Sequence, residues 1–211
     1  MPEAGGPVVA TRVALLELRD ERRLVQEGYE LLDEKRVMLA TEILRQLRAH
    51  AAGTERLHAD EAAARAAFEA ALGVHGFDDL TTAPHAPLDE ALLRRQQRSF
   101  LGLELVEAQL DDAGAPAAPS PPWPSPELRD CAAAFRRLVA DHAVLAALAG
   151  NLRRLVREYV RTERRARALE NVLLPEIDAS LHFVEEQLDA VDQEEAVRVR
   201  NAARPGTAGS A

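Results

Sequence analysis

The sequence predicts an all-α protein: two very long helices packed as an antiparallel coiled-coil hairpin, with a short irregular head between them. Three observations carry this. Ala, Leu, Glu and Arg dominate the 211 residues and aromatics make up 4%, a mixture that suits long helices sharing a thin apolar seam. From Leu128, apolar or small residues recur at steps of three and four through Cys131, Phe135, Leu138, His142, Leu145, Ala149 and Leu152, then Tyr159, Thr162, Ala166, Leu169 and Leu173. That spacing holds them on one side of a helix and requires a partner helix to cover them. Residues 125–201 contain one internal proline, Pro175, and no glycine after Gly150. A helix of about 75 residues at about 1.5 Å each is roughly 110 Å long, too long to sit inside a compact domain.

In chain order, residues 1–10 read as a flexible tail and Thr11 as an N-cap. Residues 11–73 form the first long helix, with Leu15, Leu18, Val25, Leu32, Leu39, Ile43, Leu47, Leu57 and Phe68 as its apolar positions. Gly28 and Gly53 interrupt it at about 1 kcal/mol each, either as tolerated surface glycines or where another backbone comes close. Gly73-Val-His-Gly76 supplies a glycine stop. Residues 74–125 are the irregular head: a loop with Pro84 and Pro87, a short helix over 88–99, an ambiguous apolar stretch at 100–110, and a linker rich in proline. Trp123 in that linker reads as a local packing anchor. Pro126 suits the first turn of the second long helix, residues 126–201, and residues 202–211 form a second tail.

Pro175 removes one hydrogen bond and clashes with the carbonyl of Asn171. The apolar spacing also slips there, through Leu169, Leu173, Ile177, Leu181, Val184 and Leu188. Both signals predict a bend or unwinding between Asn171 and Ile177.

The formal net charge of −9 argues against a nucleic-acid partner or an anionic membrane surface. Cys131 is the one cysteine and reads as a buried small residue. No signal-type leader and no run of about 18 apolar residues is present, which predicts a cytoplasmic protein without direct membrane insertion. Lys35 is the one lysine and lies between Glu34 and Arg36, so a phosphate-binding loop of the Gly-x-x-x-x-Gly-Lys type is excluded. Neither a cysteine pair nor HExxH occurs, so no catalytic, cofactor or metal site is expected.

Charge is unevenly spread. A hairpin that sets Thr11 beside Asn201 places residues 17–34 against 178–195, two acidic stretches, and residues 45–56 against 153–167, two basic ones. Like charges at one height weaken the pairing. The basic belt, with Arg153, Arg157 and Arg164, reads either as a solvated face with counter-ions or as a surface that meets an acidic partner.

Two stretches are more specific. Thr11-Arg-Val-Ala-Leu-Leu-Glu-Leu-Arg19, followed by Gly28-Tyr-Glu-Leu-Leu-Asp-Glu-Lys-Arg36 and Leu39, resembles the start of the D subunit of V/A-type (vacuolar/archaeal-type) rotary ATPases. Arg164-Arg-Ala-Arg-Ala-Leu-Glu-Asn-Val-Leu-Leu-Pro175 is similar to a second motif of that family, with Arg167 where relatives have Asn. The resemblance covers about residues 11–73 and 127–201. It implies a non-catalytic central stalk, a rotor that transmits torque between a ring of A and B catalytic subunits and an ion-translocating membrane ring. Its partners would be the A and B subunits, the small F subunit and a stalk subunit linking to the membrane ring, with H⁺ or Na⁺ as the ion. The chain would then be peripheral to the membrane through the complex. Motif and belt together nominate Arg12, Gly28, Lys35, Arg36, Arg153, Arg157, Arg164, Arg165, Glu170 and Pro175 as partner contacts. The family also implies a short β-hairpin in the middle; residues 100–110 suit a first strand, but the prolines after them make a poor second one. A coiled-coil export or scaffold protein similar to the flagellar export stalk is the alternative, and it would lack these paired motifs.

Overall fold

The computed structural model describes residues 9–82, 92–111 and 123–202. In order they form α1 (Arg12–Thr82), β1 (Leu93–Phe100), β2 (Leu103–Leu110), α2 (Pro126–Ala168), a π-helical turn (Leu169–Leu173) and α3 (Leu174–Ala202). The expected tails, the loop around Pro84 and Pro87, and residues 112–122 of the linker lie outside the described residues. Two units emerge: residues 9–36 with 161–202, and the described residues of 37–160.

In the first unit the start of α1 is capped as expected, the Ala14 N–H donating to Thr11 Oγ1 at 3.1 Å. The buried positions on the other side are Thr162 and Ala166 of α2 and Ile177, Leu181 and Val184 of α3. Between these two groups lies the departure foreseen at Pro175. It takes the form of a π-turn in which the Leu174 N–H bonds the Leu169 carbonyl, five residues back instead of four. A π-turn inserts one residue into the helix. It rotates the downstream face, which is how Ile177 regains the seam after the slip. None of the five residues in the turn is buried.

In the second unit α1 breaks within the foreseen glycine stop, at Gly76 (φ 74°, ψ 170°), where a side chain would be strained. Helical residues resume and run to Thr82. α2 begins on Ser125, whose Oγ accepts the Leu128 N–H at 3.1 Å and lies 2.7 Å from His75 Nε2. The cap hydroxyl thereby ties the start of α2 to α1. Phe68 and Phe135 meet edge to face at 6.4 Å.

The head corrects two expectations. Residues 93–99, expected as part of a short helix, are strand, and residues 103–110 are the second strand of a hairpin instead of the first. Leu-Arg-Arg-Gln-Gln-Arg-Ser-Phe has no apolar stripe to hold a helix on a core, and β2 alternates enough to use one face. The connection is Leu101-Gly102, both at positive φ (50° and 83°), the geometry whose twist matches a two-residue hairpin. The fold is thus predominantly helical with a two-stranded antiparallel sheet, and not all-α.

Candidate partner-contact surfaces

Where the backbone N–H and C=O of Val106 point away from β1, Asn151 of α2 takes both. Its Oδ1 accepts the N–H and its Nδ2 donates to the carbonyl, each at 2.8 Å. One buried amide thus closes the outer edge of β2 in the manner of a neighbouring strand. The adjacent Leu105 inserts between Leu39 and Leu155, all three fully buried, with Ile43, Phe100, Leu101, Leu103 and Tyr159 around them. The packing of Leu101 offsets the cost of its left-handed backbone.

The other strand is held by charge. Arg98 stands opposite Leu105 in the register and so shares its face. It reaches Glu42 of α1 at 3.0 Å. Glu42 is 7% exposed and also accepts from Arg45 at 2.6 and 2.8 Å and from Gln46 at 2.9 Å. The Arg45 hydrogen bonds lead in lowering the Glu42 carboxyl to about 2, against the opposing effect of burial. Sequence reasoning missed Glu42, Gln46, Asn151 and Arg98. Polar residues at seam positions of a helix were the available signal for the first three; nothing marked Arg98.

In the first unit, Arg12 pairs with Asp192 at 3.3 Å, Arg19 with Glu185 at 2.8 Å and Arg22 with Asp178 at 2.6 Å. The numbers rise on one helix and fall on the other, so these segments are antiparallel. The register differs from the expected one by about two to three turns. The shift interleaves the arginines of α1 with the acids of α3, so the repulsion expected between two acidic stretches is partly neutralised. In the second unit Gly53 faces Leu145, which also removes the expected opposition of residues 45–56 to 153–167. A Cβ at Gly53 would lie 2.8 Å from Leu145 Cδ2, and packing at that close approach sets the register.

The nominated residues divide. Arg36 is internal: it bonds Glu163 at 2.6 Å, and Asp33 as well, and Glu163 also takes Arg167 at 2.7 Å. The Arg36 hydrogen bond leads in holding the Glu163 carboxyl below its ordinary range. Lys35 is half-buried and engaged within the chain. Gly28 is half-buried, and a Cβ there would meet Leu169 Cδ1 at 3.8 Å, an ordinary contact, so no close approach requires the glycine. Glu170, exposed in the π-turn, raises the Tyr29 hydroxyl pKa by its negative charge. Pro175 is exposed just after that turn. Arg12 is spent on Asp192. Arg153 and Arg157 in the second unit, and Arg164 and Arg165 in the first, are exposed and without an ion pair among the described residues. No cluster of His, Cys, Asp and Glu among the described residues could hold a metal ion, and no helix there is long and apolar enough to cross a membrane.

Comparison with known proteins gives one consistent answer. The family model for the ATP synthase D subunit matches residues 14–204. The chain is 27% identical to the D subunit of the A-type ATP synthase of Methanopyrus kandleri over 90% of its length and 83% of that protein. It is 28% identical to the D subunit of the V-type ATP synthase of Thermus thermophilus, covering 92% and 86%, and 32% identical to that of Anaeromyxobacter dehalogenans, covering 90% and 92%. With the family model matching residues 14–204, the chain belongs to the family of ATP synthase D subunits.

Proposed function

We propose that this chain is the central rotor shaft of a V/A-type rotary ATPase, a hairpin of two long helices that carries torque between the A/B catalytic ring and the ion-translocating membrane ring. The match to the D-subunit family across residues 14–204 carries the reading. The antiparallel helix pairing within each unit, with cross-helix ion pairs in one and a docked β-hairpin in the other, supports a stiff element built to be pushed. On this reading the chain does no chemistry on ATP and takes no cofactor. It works by presenting unequal faces to a ring of catalytic subunits, and it reaches the membrane through a stalk subunit. The exposed Arg153, Arg157, Arg164 and Arg165, without ion pairs among the described residues, are the contacts we assign to acidic surfaces of the ring or of the F subunit. Lys35 and Arg36 are assigned to holding the helices together.

Co-expression of the tagged chain with A, B and F subunits tests this. The expected result is one stoichiometric complex on gel filtration. In it, Arg153→Glu, Arg157→Glu and Arg164→Glu slow assembly and flatten its salt dependence while the free chain stays folded. Elution of the chain alone beside an intact A/B ring would sink the assignment.

A further inference from the structure

The N-terminal third of α2 has an outer side on which, among the described residues, Arg129, Ala132, Ala133 and Arg137 are exposed and Arg136 and Ala140 half-buried. Cys131, on the inner side, is buried. Arg129, Ala132, Ala133, Arg136, Arg137 and Ala140, at offsets of three, four, seven, eight and eleven from the first, line an open groove of about 450 Å³ on the other side. None of the three guanidinium groups has an ion-pair partner among the described residues. Glu127 and Asp130 occupy the same stretch of helix and bond none of them. In a chain with 35 acidic and 26 basic side chains, three adjacent unsatisfied arginines are not explained by a general excess of positive charge.

We propose that this groove docks an acidic amphipathic helix of a partner protein. The alanines end at Cβ, so a second helix can approach at the short end of the 8–10 Å range for packed axes. The arginines flank them, and their planar forks donate pairs of parallel hydrogen bonds to carboxylates. A helix is favoured over an extended segment because the notches repeat at helical spacing. A protein is favoured over a nucleic acid because the net charge of −9 repels a phosphate backbone beyond the groove. The proposal stands independently of the rotary assignment.

The test uses the full chain and a fluorescein-labelled synthetic helix bearing Glu on both flanks of an Ala/Leu seam, read by anisotropy. Arg129→Glu, Arg136→Glu and Arg137→Glu together should weaken binding about tenfold or more at low salt, with circular dichroism unchanged. A Lys-for-Glu version of the helix should bind that variant and not the native chain. Arg153→Glu with Arg157→Glu, a control on exposed arginines elsewhere, should change affinity by less than about twofold. Equal loss in the control, or no loss in the triple variant, overturns the proposal. So does displacement of the helix by a single-stranded oligonucleotide, or a self-association in sedimentation that the triple variant abolishes, which would make a second copy the occupant.

Discussion

In the unit of residues 9–36 and 161–202, helices meet through exposed arginine–carboxylate pairs beside a seam of small and medium residues. Its buried members are Thr162, Ala166, Ile177, Leu181 and Val184. In the unit of residues 37–160, the hold is concentrated at a few buried points: Leu105 between Leu39 and Leu155, Asn151 on Val106, and Glu42 under Arg98 and Arg45. Exposed pairs contribute about 0.2–1 kcal/mol each and weaken with salt. A buried leucine or a buried amide with both partners satisfied contributes more and ignores salt. The first unit is therefore a seam that many weak contacts share, and the second depends on single residues.

The sharpest break of that contrast is Leu155→Ala. It empties the centre of the cluster under the hairpin and should cost about 2–5 kcal/mol in chemical denaturation. The same truncation at Leu181, which is less completely buried, should cost less. A larger loss at Leu181 would reverse the comparison.

Asn151→Leu comes next. It leaves the Val106 N–H and carbonyl without their partner, at about 1–3 kcal/mol. Amide exchange should speed up at Val106 while the Arg19–Glu185 region keeps its protection.

Acid reaches both units, through Glu163 in the first and Glu42 in the second. The folded-state carboxyl of Glu42 is lowered from 4.5 to about 2, so its contribution is complete above about pH 4.5 and is lost as pH falls toward 2. Glu42→Gln should be less stable than the parent at pH 7 and converge with it in that acid window, as followed by thermal melts.

Glycines give a smaller, paired test. Gly28→Ala should add about 1 kcal/mol of stability, because the space for its methyl exists. Gly53→Ala should gain less or lose, because Leu145 must move first.

Pro175→Ala should have the smallest effect, within about 1 kcal/mol. The π-turn already relieves the proline, and the phase of Ile177, Leu181 and Val184 keeps the inserted residue in place. Deleting exposed Val172 together with Pro175→Ala should remove the π-turn in a crystal structure with the downstream seam intact.

Much of this was legible from residue spacing. Cys131, Thr162 and Ala166 of the predicted stripe are buried, while Phe135 and His142 on it are exposed; Thr11 and Ser125 open helices near the foreseen starts, and the π-turn at Leu169–Leu173 overlaps the departure predicted over 171–177. The hairpin was implied by the family resemblance alone and its strands were not legible from spacing, because β1 is exposed along nearly its whole length and so carries no alternation. Its partner strand and the positive-φ turn define it, and Leu101 is an unusual residue for such a turn. Register was hidden for a related reason. Charge blocks suggested one alignment, but the close contact of Gly53 with Leu145 and the interleaved pairs Arg19–Glu185 and Arg22–Asp178 select another. Among the nominated residues, the ion pair of Arg36 with Glu163 was hidden because the two lie far apart in the sequence.

As the proposed rotor shaft, this chain would turn inside a catalytic ring. A gold nanorod attached to the chain in a surface-held A/B complex measures that directly. Unidirectional rotation that starts with ATP and pauses at three positions per turn is the predicted result. ATP hydrolysis by the same complexes with a stationary rod would contradict it.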